Sequence, residues 1–135
     1  MKVLKAVRDK LPVAISMGER LYSRWNYRKL FDMRASDYIQ PDISHADGIK
    51  GLKKIVAEAE SRYILFALHN SSGLIANAAT LQLAATCPNF CILKIMYSGV
   101  EWRKDVTDGK LEYKMDVLRF WINLDSVLKS MRRNV

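Results

Sequence analysis

Short apolar runs rich in β-forming residues alternate along most of the chain with stretches whose apolar positions recur every three or four residues. Residues 2–10 read as the end of a helix, stopped by Pro12. Residues 13–16 read as a buried strand. Residues 25–33 are helical, with Trp25, Leu30 and Met33 available for one face, and residues 38–40 form a second strand running into Pro41. Over residues 49–62, Ile49, Leu52, Ile55, Val56 and Ala59 fall at helical spacing, with Lys50, Lys53, Lys54, Glu58 and Glu60 outside. Residues 63–68 are almost wholly apolar, as expected of a parallel strand covered on both faces. A small-residue helix over 73–86 follows, and residues 90–93 form a fourth strand.

Each of the four runs ends in a polar residue: Glu19, Asp42, His69 and Lys94, separated by 23, 27 and 25 residues. A repeat of roughly 30 residues is the period of a (β/α) barrel, about 250 residues for eight units. The pattern therefore predicts an α/β fold, a partial (β/α) TIM-type barrel of four βα units. In such barrels the loops at the C-terminal strand ends build the active site, so these four side chains would converge on one mouth. Taken singly, each is equally an ordinary helix cap or a surface charge. In series they define a chemistry. An Asp that accepts the Nδ1–H of a neighbouring His fixes the imidazole tautomer and makes a proton-transfer group for neutral pH, a role open to Asp42 and His69. Glu19 is a hard oxygen donor of the kind Mg²⁺ takes, although one carboxylate makes a poor magnesium site.

Composition narrows the class. Half of the 135 residues are apolar and 27% are charged, which permits a real core and excludes a disordered or collagen-like chain. No apolar stretch approaches the ~20 residues of a membrane-spanning helix. The charged N-terminus lacks the unbroken apolar run of a secretory signal, so the chain is expected in the cytoplasm, with no membrane partner. Cys87 and Cys91 match no zinc or redox spacing and are expected to be buried free thiols. The net charge of +8 is uneven: residues 1–34 carry +6, the last ten +3 and the rest −1. A basic stretch containing Tyr22, Trp25 and Tyr27 could face nucleic acid, but no nucleic-acid-binding signature accompanies it, and a solvated helix face with the aromatics packed inward is the expected reading.

The runs 17–25 (MGERLYSRW), 39–49 (IQPDISHADGI) and 67–73 (ALHNSSG), followed by 86–90 (TCPNF), closely resemble the C-terminal part of the enolase superfamily, in its mandelate racemase-like branch. The nearest likeness is to acid-sugar dehydratases of the galactonate dehydratase type, over roughly residues 1–112. The resemblance implies that Glu19 is the last of three acidic Mg²⁺ ligands, Asp42 the carboxylate of the dyad and His69 the catalytic histidine. It also implies a β-elimination that converts a sugar acid to its 2-keto-3-deoxy product. Arg20 and Arg24, on the loop after Glu19, either contact substrate or serve a salt bridge or the backbone. His45, beyond Asp42, is expected at the rim. Lys94 stands where many relatives place a Glu, which reverses a charge at the mouth and makes it a further substrate contact. Ser71 and Leu74 replace prolines usual after the histidine, and Asp47 replaces a glycine.

These departures, together with the two further acidic ligands and the capping domain that the family carries and this sequence lacks, predict a truncated dehydratase incomplete by itself. The alternative is a noncatalytic half-barrel that binds or oligomerises. Either way an open half-barrel exposes strand edges, so a homo-oligomer or completion by a missing N-terminal half is expected. Residues 1–112 are expected to form the half-barrel domain and 113–135 a tail outside it.

Overall fold

The computed structural model describes residues 1–96 together with two short strands, Glu112–Lys114 and Val117–Arg119. Helix α1 (Lys2–Lys10) precedes β1 (Ser16–Met17), α2 (Arg24–Asp32), β2 (Tyr38–Ile39), α3 (Gly48–Glu60), β3 (Leu65–Asn70), α4 (Leu74–Ala84) and β4 (Phe90–Ile95). The four strands form one sheet in the order β1-β2-β3-β4, every pair parallel. Helical crossovers between successive parallel neighbours are the (β/α) arrangement that the periodicity predicts. The last two strands, β5 (Glu112–Lys114) and β6 (Val117–Arg119), pair antiparallel where the expected domain ends. The rest of the expected tail lies outside the described residues.

Alternation along the strands sorts the side chains onto two faces. Ile39, Phe66 and Leu68 turn towards the helices and are fully buried with Tyr27, Leu30 and Phe31 of α2 and Leu52, Ile55, Val56 and Ala59 of α3. Leu83 and Ala84 of α4 complete this cluster. The opposite face carries Tyr38, Leu65, Ala67, His69, Ile92 and Lys94, by the cross-strand register. Leu65 is 40% and Ile92 60% exposed. The expected cover on both faces of residues 63–68 is thus corrected: helices cover one face, and the other is the lumen side, which a closed barrel fills with side chains from its remaining strands.

The boundaries shift for physical reasons. Pairing in β1 begins at Ser16, because the Asp37 carboxylate takes the Ile15 N–H at 2.9 Å while the Ile15 carbonyl accepts from Asp37 and Tyr38. Val13, expected in the strand, is exposed. In α2 the inward residues are Tyr27, Leu30 and Phe31, and Trp25 points to solvent, since at 100° per residue it lies on the far side of that triplet. Ile49, in the first turn of α3, is likewise exposed. Tyr63 is outside β3 and 98% exposed, in a left-handed conformation with φ 58°. It plays the part of Arg34 (φ 47°) after α2: each is the left-handed residue that ends a helix and lets the next N–H, of Ile64 or Ala35, reach back to Ala59 or Leu30. Strand β4 extends to Ile95, which puts Lys94 inside the strand rather than beyond it. Cys87 is buried as expected, but Cys91 is exposed on the edge strand β4. No helix among the described residues is long and apolar enough to cross a membrane.

Candidate active site

The C-terminal edge of the sheet is built strand by strand. Leaving β1, Gly18 adopts φ +122°, a conformation glycine alone takes without strain, and the turn it opens carries Glu19. Tyr27 of α2 lies beneath this turn. Its hydroxyl donates to the Gly18 carbonyl, and a Cβ on Gly18 would meet the Tyr27 ring at 2.9 Å. Burial, and then the carboxylates of Glu19 and Asp42, push the Tyr27 phenol well above its ordinary range, so it remains a neutral donor wedged near both acids.

Beyond β2, the chain passes through Gln40 and Pro41 to Asp42, which makes an isolated parallel bridge with His69 of β3. The His69 N–H donates to the Pro41 carbonyl at 3.1 Å. The side chains then meet: His69 Nδ1 lies 2.9 Å from Asp42 Oδ2. Asp42 is fully buried, and its second oxygen accepts the Ser44 N–H at 2.8 Å, an Asx turn that sets the carboxylate before any partner arrives. A buried carboxylate needs such donors, and here both oxygens have one. Because a carboxylate only accepts, Nδ1 carries the imidazole proton, and Nε2 has no partner among the described residues. The His69 side chain is 18% exposed, and its register places it on the lumen face. This geometry suits a general acid or base: one nitrogen anchored, the other open to a ligand.

The loop after Asp42 is tied to the loop after β1. His45 Nδ1 donates to the Glu19 carbonyl at 3.3 Å, and its ring sits 5.7 Å from that of Tyr22. His45 thus occupies the rim, bracing the Glu19 turn. Asp47 has φ 57°, a left-handed conformation that Asp tolerates better than most residues. Arg20 is exposed on the Glu19 turn, whereas the Arg24 guanidinium stacks 4.3 Å over the Trp25 ring. Lys94 is exposed beside His69 in the register of β4.

Of the aromatics expected to pack inward, Tyr27 does so, whereas Tyr22 and Trp25 are exposed. One contributor was not apparent from the sequence. Asn70 is 2% exposed, donates to Thr80 of α4 at 3.1 Å and accepts the Ser72 N–H at 2.9 Å, shaping the loop that follows His69. An Asn one residue past a strand-end His, followed by Ser-Ser-Gly, is the turn signal that could have exposed it.

Among the described residues the donor set does not make a magnesium site: no group of three or more His, Cys, Asp or Glu could hold a metal ion, and Glu19 offers one carboxylate.

Successive βα units on one parallel sheet define a section of a (β/α) barrel, with an Asp–His pair at adjacent C-terminal strand ends. A family model described as enolase C-terminal domain-like matches residues 1–120, and the chain belongs to the enolase superfamily through that domain. D-xylonate dehydratase of Haloferax volcanii is 32% identical over 106 residues, 78% of this chain and 26% of the relative. A mandelate racemase/muconate lactonizing enzyme-like protein from Rubrobacter xylanophilus superposes with a TM-score of 0.71 at 34% identity, over 76% of this chain and 26% of the other. A candidate L-alanine-DL-glutamate epimerase from Burkholderia xenovorans, solved with magnesium and fumarate bound, gives a TM-score of 0.79 at 28% identity, over 85% and 28%. The chain spans about a quarter of the length of the relatives it matches.

Proposed function

We propose that this chain supplies the proton-transfer section of a sugar-acid dehydratase site. His69 Nε2 removes the proton from the carbon next to the substrate carboxylate, Asp42 holds the imidazolium that results, and the imidazolium protonates the departing β-hydroxyl as water. The enol left behind tautomerises to the 2-keto-3-deoxy acid. The carrying observation is the 2.9 Å contact between His69 and the fully buried Asp42 at neighbouring strand ends. The dehydratase relative supports the substrate class. The remaining acidic ligands and barrel strands come from further polypeptide, either the rest of a longer chain or a second copy, which would also cover the edges of β1 and β4 that are unpaired among the described residues and the exposed Ile92. Residues 1–112 act as the barrel section, and the reading places the protein in the cytoplasm with soluble sugar acids.

The test is a chimera of the Haloferax D-xylonate dehydratase in which this chain replaces the matched segment. The expected result is magnesium-dependent turnover that falls by about 10²–10⁴ in His69→Asn. Equal turnover with and without His69 would overturn the reading. The single carboxylate at Glu19 favours a second one, a noncatalytic half-barrel, which a folded but inactive chimera would support.

A further inference from the structure

We propose that two copies of this chain close one eight-stranded (β/α) barrel head to tail, β4 of each copy pairing in parallel with β1 of the other, so that Lys94 meets the partner's Glu19 at both seams. This rests on the reading of the chain as a barrel section that further polypeptide completes, and commits that completion to a second copy. The sheet has four parallel strands in chain order, and among the described residues β1 and β4 each lack a neighbour on one side. A (β/α) barrel has eight strands. Four of them span half its circle, so a single two-fold axis along the barrel closes the ring through two identical seams. Pairing like edges, β4 with β4, does not: a two-fold axis there either runs the strands antiparallel or turns the two lumen faces opposite ways.

The two edges carry complementary groups. At the C-terminal end of the sheet the order is Glu19, Asp42, His69, Lys94. Asp42 is committed to His69 and Ser44, and Arg8 and Arg62 are engaged with Asp37, Asp32 and Glu58. Neither the Glu19 carboxylate nor the exposed Lys94 ammonium has an ion-pair partner among the described residues. Head-to-tail closure sets each ammonium beside the other copy's carboxylate, and opposite charges across an interface fix orientation and register. The outer layer fits the same closure. Helix α1 has no buried residue, and Val3, Val7 and Leu11 follow one another at helical spacing, all exposed. Helix α4 carries no charged residue and leaves Ile75 exposed, although a helix apolar all round is ordinarily covered. In the closed ring the helix that precedes β1 covers the junction with the partner's β4 and lies beside the partner's α4. Both Asp42–His69 pairs then open into one lumen.

Sedimentation equilibrium of the full chain from micromolar to millimolar concentration tests this, and the parent should reach the mass of two chains and stop there. Lys94→Glu and Glu19→Lys, each alone, set like charges at both seams and should each raise the dimer dissociation constant about a hundredfold, about tenfold per seam. Mixing the two variants should restore association at parent affinity, because opposite charges then meet at both seams, and that recovery also shows that both variants are folded. Lys54→Glu, on the exposed side of α3, should leave the dimer unchanged. A parent that stays monomeric throughout would overturn the proposal and assign the unpaired edges to the rest of a longer chain. A mass that climbs past two chains, single variants that associate like the parent, or a mixture that stays dissociated would each overturn it as well. The measurement needs no turnover, so its failure leaves the dyad to be judged in the chimera, and a chimera indifferent to His69 leaves the dimer standing.

Discussion

The two ends of this sheet use the same residue types for opposite purposes. At the N-terminal end, Asp37 takes two bonds from Arg8, at 3.1 and 2.6 Å, and one from the Ile15 N–H, which locks α1 to the start of β1 and β2. Arg62 joins Asp32 of α2 to Glu58 of α3. At the C-terminal end one acid is buried and held, while an imidazole, an ammonium and a second carboxylate face the lumen or the rim. Charges that satisfy one another make a joint, and charges held open by buried neighbours make a site. Barrels in general divide stability and catalysis between their two faces in this way.

Mutations that separate the two roles rank as follows. Asp42→Ala should cost the most, about 3 kcal/mol by denaturant unfolding, because a buried acceptor of both His69 and Ser44 is lost, and it should also abolish chimera turnover. A loss confined to turnover would mean that Asp42 is not the buried joint between β2 and β3. Gly18→Ala should cost about 2 kcal/mol, since it combines φ +122° with a 2.9 Å approach to Tyr27. Unchanged stability there would remove Tyr27 as the support of the Glu19 turn.

Asp37→Asn should cost about 1 kcal/mol and leave turnover of the chimera intact. The bond from Arg8, and then that from Ile15, hold the Asp37 carboxyl below its ordinary value. Its contribution is therefore whole above about pH 4, the unfolded carboxylate value, and is lost as pH falls through the lowered folded value. Melting curves from pH 7 to pH 2 should show the gap between parent and Asp37→Asn closing only in that acid range; a constant gap would deny the joint its charge. The smallest effect is a gain. Tyr63→Gly should stabilise the chain by up to about 1 kcal/mol, by relieving φ 58° at a side chain exposed to solvent.

Much of this contrast was legible in the sequence, for reasons that differ between the ends. The C-terminal edge announces itself because strand ends are local: Glu19, Asp42, His69 and Lys94 follow apolar runs at a regular period, and the motifs around them carry the family resemblance. What the sequence hid is what lies across the fold. The pairing of Arg8 with Asp37 spans 29 residues and has no local signal. Tyr27 and Trp25 are equally apolar on paper, and only the placement of Leu30 and Phe31 against the sheet decides that Tyr27 turns inward. Residues 13–16 have strand composition, yet a carboxylate from 22 residues away occupies the Ile15 N–H. Open lumen and covered face are likewise indistinguishable in an apolar run such as 63–68.

The central claim is that Asp42 holds His69 with its proton on Nδ1 and its Nε2 free. Two-bond ¹H–¹⁵N NMR of the imidazoles in the full chain reads this directly. The expected spectrum of neutral His69 is that of the Nδ1–H tautomer in the parent, shifted towards the Nε2–H form common in free histidine when Asp42 is changed to Ala. A parent His69 already in the Nε2–H form, or a spectrum indifferent to Asp42, would contradict it.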